Sequence, residues 1–534
     1  LPGCADTQTR DDRSERGRAR LQRWQSQPQF AAADSLEARL QSDGLTLQDF
    51  ERLLDEPAEA LGQRVQTSPD WLEYIGTAYS SAHSPLAPLE LSSNVKETLF
   101  ARTLIAANPL IAHTRRALRA DLETHSASLL ALGVSVAGME QLLYEALPRQ
   151  LLSIASRTLV LEMHVLKLQQ RLAGETPQDR FESFIEHLQS PQTSLALLNE
   201  YPVLARELVS CLRNWHTSSA RLVANLCDDW ADLVSMFPKA GAAGALIDIE
   251  AGAGDRHRGG RAVVILRFAS GWKLVYKPRS LAVDEHFQRL LRWVNERTTG
   301  LQFRTFHTLT RPEHGWSEFI DRHTDLSASE AQRYFRRHGG YLALLYLLEA
   351  TDFHYENLIC AGEHPILIDL EALFQPRLQD ERRNDASDVA GREMNYSVLR
   401  VGLLPQRLFT DGKREGLDVS GIGALAGQVT PFELPLWAAA GTDEMHLVRK
   451  QGTFHGSPNR PRIDGREVDP CEYMEDIVAG FEHVYRVLME HRPELLDAKG
   501  PIAQFADDEV RVLLRATRTY ARVIQESFHP DVLR

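Results

Sequence analysis

The segment Thr351-Asp352-Phe353-His354-Tyr355-Glu356-Asn357, followed by Ile366-Leu367-Ile368-Asp369-Leu370-Glu371, constrains the fold of this chain most. It places an Asp, a His and an Asn on one short loop, in the pattern D-x-H-x-x-N. A second Asp follows at the end of an apolar run, presented as a strand would present it. Acidic and amide groups that converge on one spot repel each other unless a cation sits among them. A site that moves the γ-phosphoryl group of ATP needs these parts: an Asp near the attacking hydroxyl, and an Asn and a second Asp on Mg²⁺. Asp352 is therefore a candidate catalytic residue, and Asn357 and Asp369 candidate metal ligands. The bland alternative is two unrelated acidic turns, and the upstream sequence argues against it.

Upstream lie Ala251-Gly252-Ala253-Gly254-Asp255-Arg256-His257-Arg258-Gly259-Gly260, the run Arg261 to Phe268, then Gly271 and Trp272 to Arg279. This reads as strand, glycine-rich loop, strand, turn, strand. Glycines let backbone N–H groups approach phosphate oxygens and form an anion-binding concavity, which makes Gly254, Gly259 and Gly260 candidates for nucleotide contact. Lys277 ends a β-branched and aromatic strand, as a phosphate-pairing lysine does. No G-K-[ST] closes the loop, so it is not a Walker A loop. Taken alone, the glycines fit an ordinary hairpin equally well. Apolar residues at Val283, Phe287, Leu290, Leu291 and Val294 predict a helix over Val283 to Glu296. Glu285 is the nearest candidate partner for Lys277, or else a solvated surface residue.

The 534 residues suggest two to four units, each able to bury a core. A hydrophobic content of 43% with 25% charged residues belongs to a soluble globular protein. The net charge of −13 argues against general nucleic-acid binding. Cys4, Cys211, Cys227, Cys360 and Cys471 form no C-x-x-C pair, so a structural zinc site or disulfide framework is not expected and a cytoplasmic setting fits. No apolar run approaches a membrane span. Residues 1–239 read as helical, with breaks near Ser80 to Pro88 and Ser190 to Ser194 and helical spacing running on from Leu195 to Leu212. Glycine turns and strands then mark a nucleotide lobe over 240–330. Residues 331–534 form a larger, mainly helical lobe, with a polar span from Gln375 to Arg400 after Asp369.

Several of these segments together resemble one family, the dehydratase domain of class II (LanM-type) lanthipeptide synthetases. They are Gly-Asp-Arg-His-Arg-Gly-Gly (254–260), Leu-Val-Tyr-Lys-Pro-Arg-Ser (274–280), Thr-Asp-Phe-His-Tyr-Glu-Asn (351–357), Leu-Ile-Asp-Leu-Glu-Ala-Leu-Phe (367–374), Gly-Leu-Leu-Pro (402–405) and Arg511 to Tyr520. The resemblance spans nearly the whole chain. It implies an α+β fold with a lipid-kinase-like two-lobed core and a large additional helical N-terminal region. It implies ATP- and Mg²⁺-dependent phosphorylation of Ser and Thr in a precursor peptide with a leader, followed by elimination of phosphate to dehydroalanine or dehydrobutyrine.

By the same resemblance, Lys277 contacts ATP phosphates, Asp352, His354 and Asn357 form the catalytic loop, and Asp369 holds the metal. Asp255 and His257 are linked to elimination, and Arg511 and Thr517 match the family's elimination Arg and Thr. Without the family, Arg511 and Thr517 read as a basic residue and a hydroxyl on an ordinary helix. Which of Asp352 and His354 takes the hydroxyl proton stays open, as does the base for elimination. Such proteins usually carry a second, zinc-dependent cyclase half. No cyclase metal cluster is present here, so this chain is expected to dehydrate without cyclising and to hold no zinc, the cyclase belonging to the full-length protein. The alternatives are a lipid- or protein-kinase-like phosphotransferase that stops at the phosphate, and a binding scaffold with a dead site.

Overall fold

In a computed structural model, residues 15–27, 30, 34–57, 60, 62–63, 67–82, 84–86, 89, 100–252, 259–376, 393–394, 396–408, 416–514 and 517–534 are described. The chain forms two compact units, Leu1–Tyr74 and Ile75–Arg534. The first contains helices α1 (Glu15–Gln25), α2 (Ser35–Ser42) and α3 (Leu47–Asp55). Thr46 and Asp49 form a reciprocal capping box at the start of α3, which satisfies backbone donors that a helix start leaves open. Trp24 of α1 packs edge-on against Phe50 of α3, with ring centroids 5.6 Å apart.

The second unit begins with helices, among them α4 (Asn108–Glu123), α5 (Leu147–Leu168), α6 (Pro177–Leu188), α7 (Pro191–Glu200) and α8 (Pro202–Met236). The helical spacing from Leu195 to Leu212 is interrupted in the structure: α7 ends and α8 starts afresh at Pro202, whose fixed φ and missing N–H suit a first helical turn. Helix gives way to an antiparallel sheet of β1 (Leu246–Ala251), β2 (Val264–Phe268), β3 (Lys273–Lys277), β4 (Thr308–Thr310) and β5 (Gly315–Glu318), in the order β1-β2-β3-β5-β4. Between β3 and β4 runs α9 (Ala282–Asn295), which buries the predicted stripe of Val283, Phe287, Leu290, Leu291 and Val294.

Side chains on β3 alternate between the faces of the sheet. Leu274 and Tyr276 turn to one side, where the Tyr276 hydroxyl accepts a 3.0 Å hydrogen bond from Asn225 of α8. Lys277, the next residue, turns to the other. The sheet is also tied to α8 by Asp229, a buried acid. It accepts from Nε2 of His314 at 2.7 Å, Nε1 of Trp316 at 2.7 Å and Nε of Arg311 at 2.8 Å. Burial favours the neutral acid there, but these donors outweigh it and hold the carboxyl below its ordinary range.

After the sheet come α10 (Ala328–Leu347), the hairpin β6 (Leu358–Ala361) and β7 (His364–Leu367), the exposed hairpin β8 (Val429–Ala438) and β9 (His446–Thr453), α11 (Met474–Glu490) and α12 (Thr517–Ser527). Helices α10 and α11 approach so closely that a Cβ on Gly339 would lie 1.9 Å from the Ile477 carbonyl oxygen, and one on Gly480 1.8 Å from that of Arg336. Between them, α9, α10, α11 and the segment 350–373 share one buried apolar core. Among the described residues no helix is long and apolar enough to cross a membrane.

Candidate active site

The loop after α10 is built around the carbonyl of Asp352. This oxygen accepts the His354 N–H at 3.0 Å and the Asn357 side-chain amide at 2.8 Å. Asp352 itself has φ +68°, a left-handed conformation that Asp tolerates better than most residues and that commonly marks functional loops. Phe353 is 1% exposed and anchors the loop in the core, with its N–H donating to Val401 O at 3.0 Å. The Gly-Leu-Leu-Pro segment lies behind it: a Cβ on Gly402 would meet the Phe353 nitrogen at 3.2 Å.

His354 accepts the Glu356 N–H on its Nδ1 at 3.3 Å. The neutral ring then carries its proton on Nε2. Hairpin register brings the metal candidates together. Leu358 pairs with Leu367, and Ile368 N–H donates to Asn357 O at 3.1 Å, so Asn357 and Asp369 emerge at the same end of the β6–β7 hairpin.

Lys277 arrives from the sheet. It is 7% exposed; its Nζ donates to Asp284 Oδ1 at 3.2 Å and to the carbonyl of Ile368, the residue before Asp369. Of the two readings of Glu285, the structure supports the surface residue: it pairs with Arg289 one turn along α9, and Asp284, not Glu285, takes the inward position beside Lys277. Asp284 is 1% exposed. Burial favours its neutral form, but Arg279 and Lys277 prevail and hold its pKa below the usual carboxylate range.

Two residues with no role assigned from sequence complete the cluster. Arg279 donates to Asp284 Oδ2 at 2.7 Å and Asp369 Oδ1 at 3.4 Å, and its Nε lies 3.7 Å from Glu371 Oε2. Burial works against the guanidinium's charge, but these carboxylates outweigh it and raise its pKa further. Glu371 in turn binds Arg511, Nη1 to Oε1 at 2.8 Å, while the Arg511 N–H donates to Glu371 O at 2.7 Å. The only sequence signal for the pair was spacing: each stands two residues beyond a candidate, in Lys-Pro-Arg and Asp-Leu-Glu.

The structure thus gathers Asp352, His354, Asn357, Asp369, Lys277 and Arg511. Arg511 lies outside any helix, whereas Thr517 opens α12 and its side chain is outside the described residues. Gly254, Asp255 and His257 also lie outside them, as does most of the polar span after Gln375. Gly259 and Gly260 share φ +80° and face Asn214 of α8. A cavity of ≈ 230 Å³ sits on that opposite face of β3, lined by Asn214, Arg221, Gly260, Arg261, Tyr276 and Pro278 among others, away from the Lys277 cluster.

Among the described residues no three His, Cys, Asp or Glu side chains converge as a metal site. The donors present are the Asp369 carboxylate and the carbonyl end of Asn357, whose amide nitrogen is engaged by Asp352. Two hard oxygens beside a lysine fit a magnesium ion that takes its remaining ligands from a nucleotide's phosphates and water.

A buried lysine, an acid–amide pair and a D-x-H-x-x-N loop at one hairpin end are the setting of the family match. The chain belongs to the family described as Domain of unknown function (DUF4135), whose profile matches residues 201–534, and it is related to the LanM-type lanthipeptide synthetases. A curated relative is the lacticin 481/lactococcin biosynthesis protein LcnDR2 of Lactococcus lactis subsp. lactis, 26% identical over 409 residues, which are 74% of this chain and 43% of that protein. The chain spans less than half the length of this relative.

Proposed function

We propose that the chain is a lanthipeptide dehydratase, with a lipid-kinase-like core that phosphorylates Ser and Thr of a precursor peptide and then eliminates the phosphate. One observation carries the reading. Lys277, the hairpin end that carries Asn357 and Asp369, and Arg511, far apart in sequence, are linked there through Ile368, Arg279 and Glu371. The relative, a lacticin 481/lactococcin biosynthesis protein, supports a peptide substrate.

In the first step the peptide hydroxyl attacks the terminal phosphoryl of ATP: the O–P bond to the peptide forms as the bond from the γ-phosphorus to the bridging oxygen breaks, ADP leaves with that electron pair, and the hydroxyl proton passes to Asp352. His354 is a poor base here, because its Nδ1 already accepts a backbone N–H; its Nε2–H suits donation to the transferring phosphoryl. Lys277 offsets phosphate charge, and Asn357 and Asp369 would hold Mg²⁺, which supplies further neutralisation when bound. In the second step a base removes the Cα proton, a role for Asp255 or His257. The freed electron pair forms the Cα=Cβ bond, the Cβ–O bond breaks, and phosphate leaves with that pair. Arg511 binds the departing phosphate through its planar fork, with a hydroxyl donor from Thr517. We assign the cytoplasm as the setting, where ATP is supplied.

The test is mass spectrometry of a Ser/Thr-rich precursor peptide after incubation with the protein, ATP and Mg²⁺. Loss of one water per modified residue is the expected result. A persistent gain of phosphate would reduce the protein to a phosphotransferase and remove the roles of Arg511 and Thr517. An unchanged peptide would contradict the whole reading.

A further inference from the structure

We infer that Glu371 is the positioning residue for Arg511, and that with Arg279 it joins the elimination half of the site to the phosphorylation half. The inference rests on the function proposed above and deepens it. Glu371 is partly buried, with 15% side-chain exposure, and holds a guanidinium with each of its oxygens: Arg511 on Oε1 at 2.8 Å and Arg279 near Oε2 at 3.7 Å. Arg279 also reaches Asp369, and the Glu371 N–H donates to Asp369 Oδ1 at 3.3 Å. The carboxylate of Glu371 therefore fixes where the Arg511 fork sits relative to the candidate metal ligand. A phosphate formed beside Asp369 would meet a guanidinium already oriented toward it, which spares the entropy of ordering a long side chain at the moment of bond cleavage.

The backbone around Arg511 does not depend on this carboxylate. The Arg511 N–H donates to the Glu371 main-chain oxygen, the Arg511 carbonyl accepts from Gln375 Nε2, and Gln375 Oε1 accepts the Leu513 N–H at 2.9 Å. Gln375 is itself buried. Replacing Glu371 by Gln thus removes the negative charge between two guanidiniums while the chain that carries Arg511 keeps its anchors. This separates a positioning role from a merely structural one.

The experiment compares the wild-type chain, Glu371→Gln and Glu371→Asp with ATP, Mg²⁺ and the same precursor peptide, following phosphorylated and dehydrated species over time. Glu371→Gln is expected to raise the ratio of phosphorylated to dehydrated product by about ten-fold, the scale at which loss of a supporting partner commonly acts. Glu371→Asp, which keeps the carboxylate, is expected to restore much of the wild-type ratio. An unchanged or lower ratio in Glu371→Gln, with the wild type dehydrating normally, overturns the inference and leaves the proposed function standing. Equal failure of Gln and Asp variants also overturns it, because charge would not be what matters. A wild type that makes no dehydro residue overturns the proposed function first and this inference with it.

Discussion

The ammonium of Lys277 is shared between the Asp284 carboxylate and the Ile368 carbonyl, a buried arrangement that holds one cation where two segments meet. Removing it takes away a fixed positive charge from the site proposed to bind the triphosphate of ATP. Lys277→Ala is expected to lower the rate of phosphoryl transfer to the peptide by about 100-fold or more, read from the initial appearance of phosphorylated and dehydrated peptide. Asp284 faces both Lys277 and Arg279, so Asp284→Asn leaves two cations without their common anion and should cost roughly 3–5 kcal/mol of stability at neutral pH. The sign of the pH dependence follows from the lowered pKa of Asp284. Its contribution is fully present above the unfolded carboxyl value of about 4 and is lost as pH falls through the lower folded value. The melting-temperature gap between wild type and Asp284→Asn should therefore narrow as pH drops below about 4; a constant gap would contradict it.

Proximity was legible wherever the chain itself brings groups together. Asp352, His354 and Asn357 share one loop, and Asn357 and Asp369 share one hairpin, so spacing alone placed them. Of the two readings of Glu285 the surface one fits, and the acid that meets Lys277 is its neighbour Asp284. Each residue turns about 100° around a helix, so of two adjacent acids only one can face inward. Sequence could not say that it is Asp284. Arg279 and Glu371 went unassigned because their contacts are non-local: Asp369 is 90 residues from Arg279, and Arg511 is 140 from Glu371.

Among the elements, the close pair α10 and α11 and the join of α8 to the sheet set the frame that the site hangs on. Gly480 sits where α11 touches the backbone of α10, with no room for a methyl group. Gly480→Ala is expected to destabilise by about 1–3 kcal/mol through forced separation of the helices, measured by denaturant unfolding. Asp229 accepts three donors from the β4–β5 region; Asp229→Ala leaves the buried Trp316 N–H and the partly buried His314 without their acceptor while Arg311 keeps Asp232, an expected loss of about 1–3 kcal/mol. A loss below about 1 kcal/mol would mean the join is not made by this acid. The helical period over Val283 to Glu296 and the strand–loop–strand order around Lys277 were readable from the sequence, because apolar spacing and glycines fix them locally. The break at Pro202 was hidden within spacing that both flanking helices keep. The non-helical backbone at Arg511 was hidden too, since it is held by Gln375 and Glu371 rather than by its own neighbours.

Over the whole molecule, the order of segments carried more than any single one of them. A glycine-rich turn, a strand lysine, a helix, a D-x-H-x-x-N loop and a terminal Asp lie in sequence, and the fold brings the lysine, the loop and the Asp to one end of the β6–β7 hairpin. The central claim is that phosphorylation and elimination run in succession on one peptide at this place. Its most direct test counts three products in one reaction of the wild-type chain with ATP, Mg²⁺ and precursor peptide: ADP, orthophosphate and dehydro residues. Equal amounts of all three are predicted, because each water lost costs one phosphoryl transfer and one phosphate departure. ADP formed with phosphate left on the peptide, or dehydro residues formed without ADP, would contradict the account.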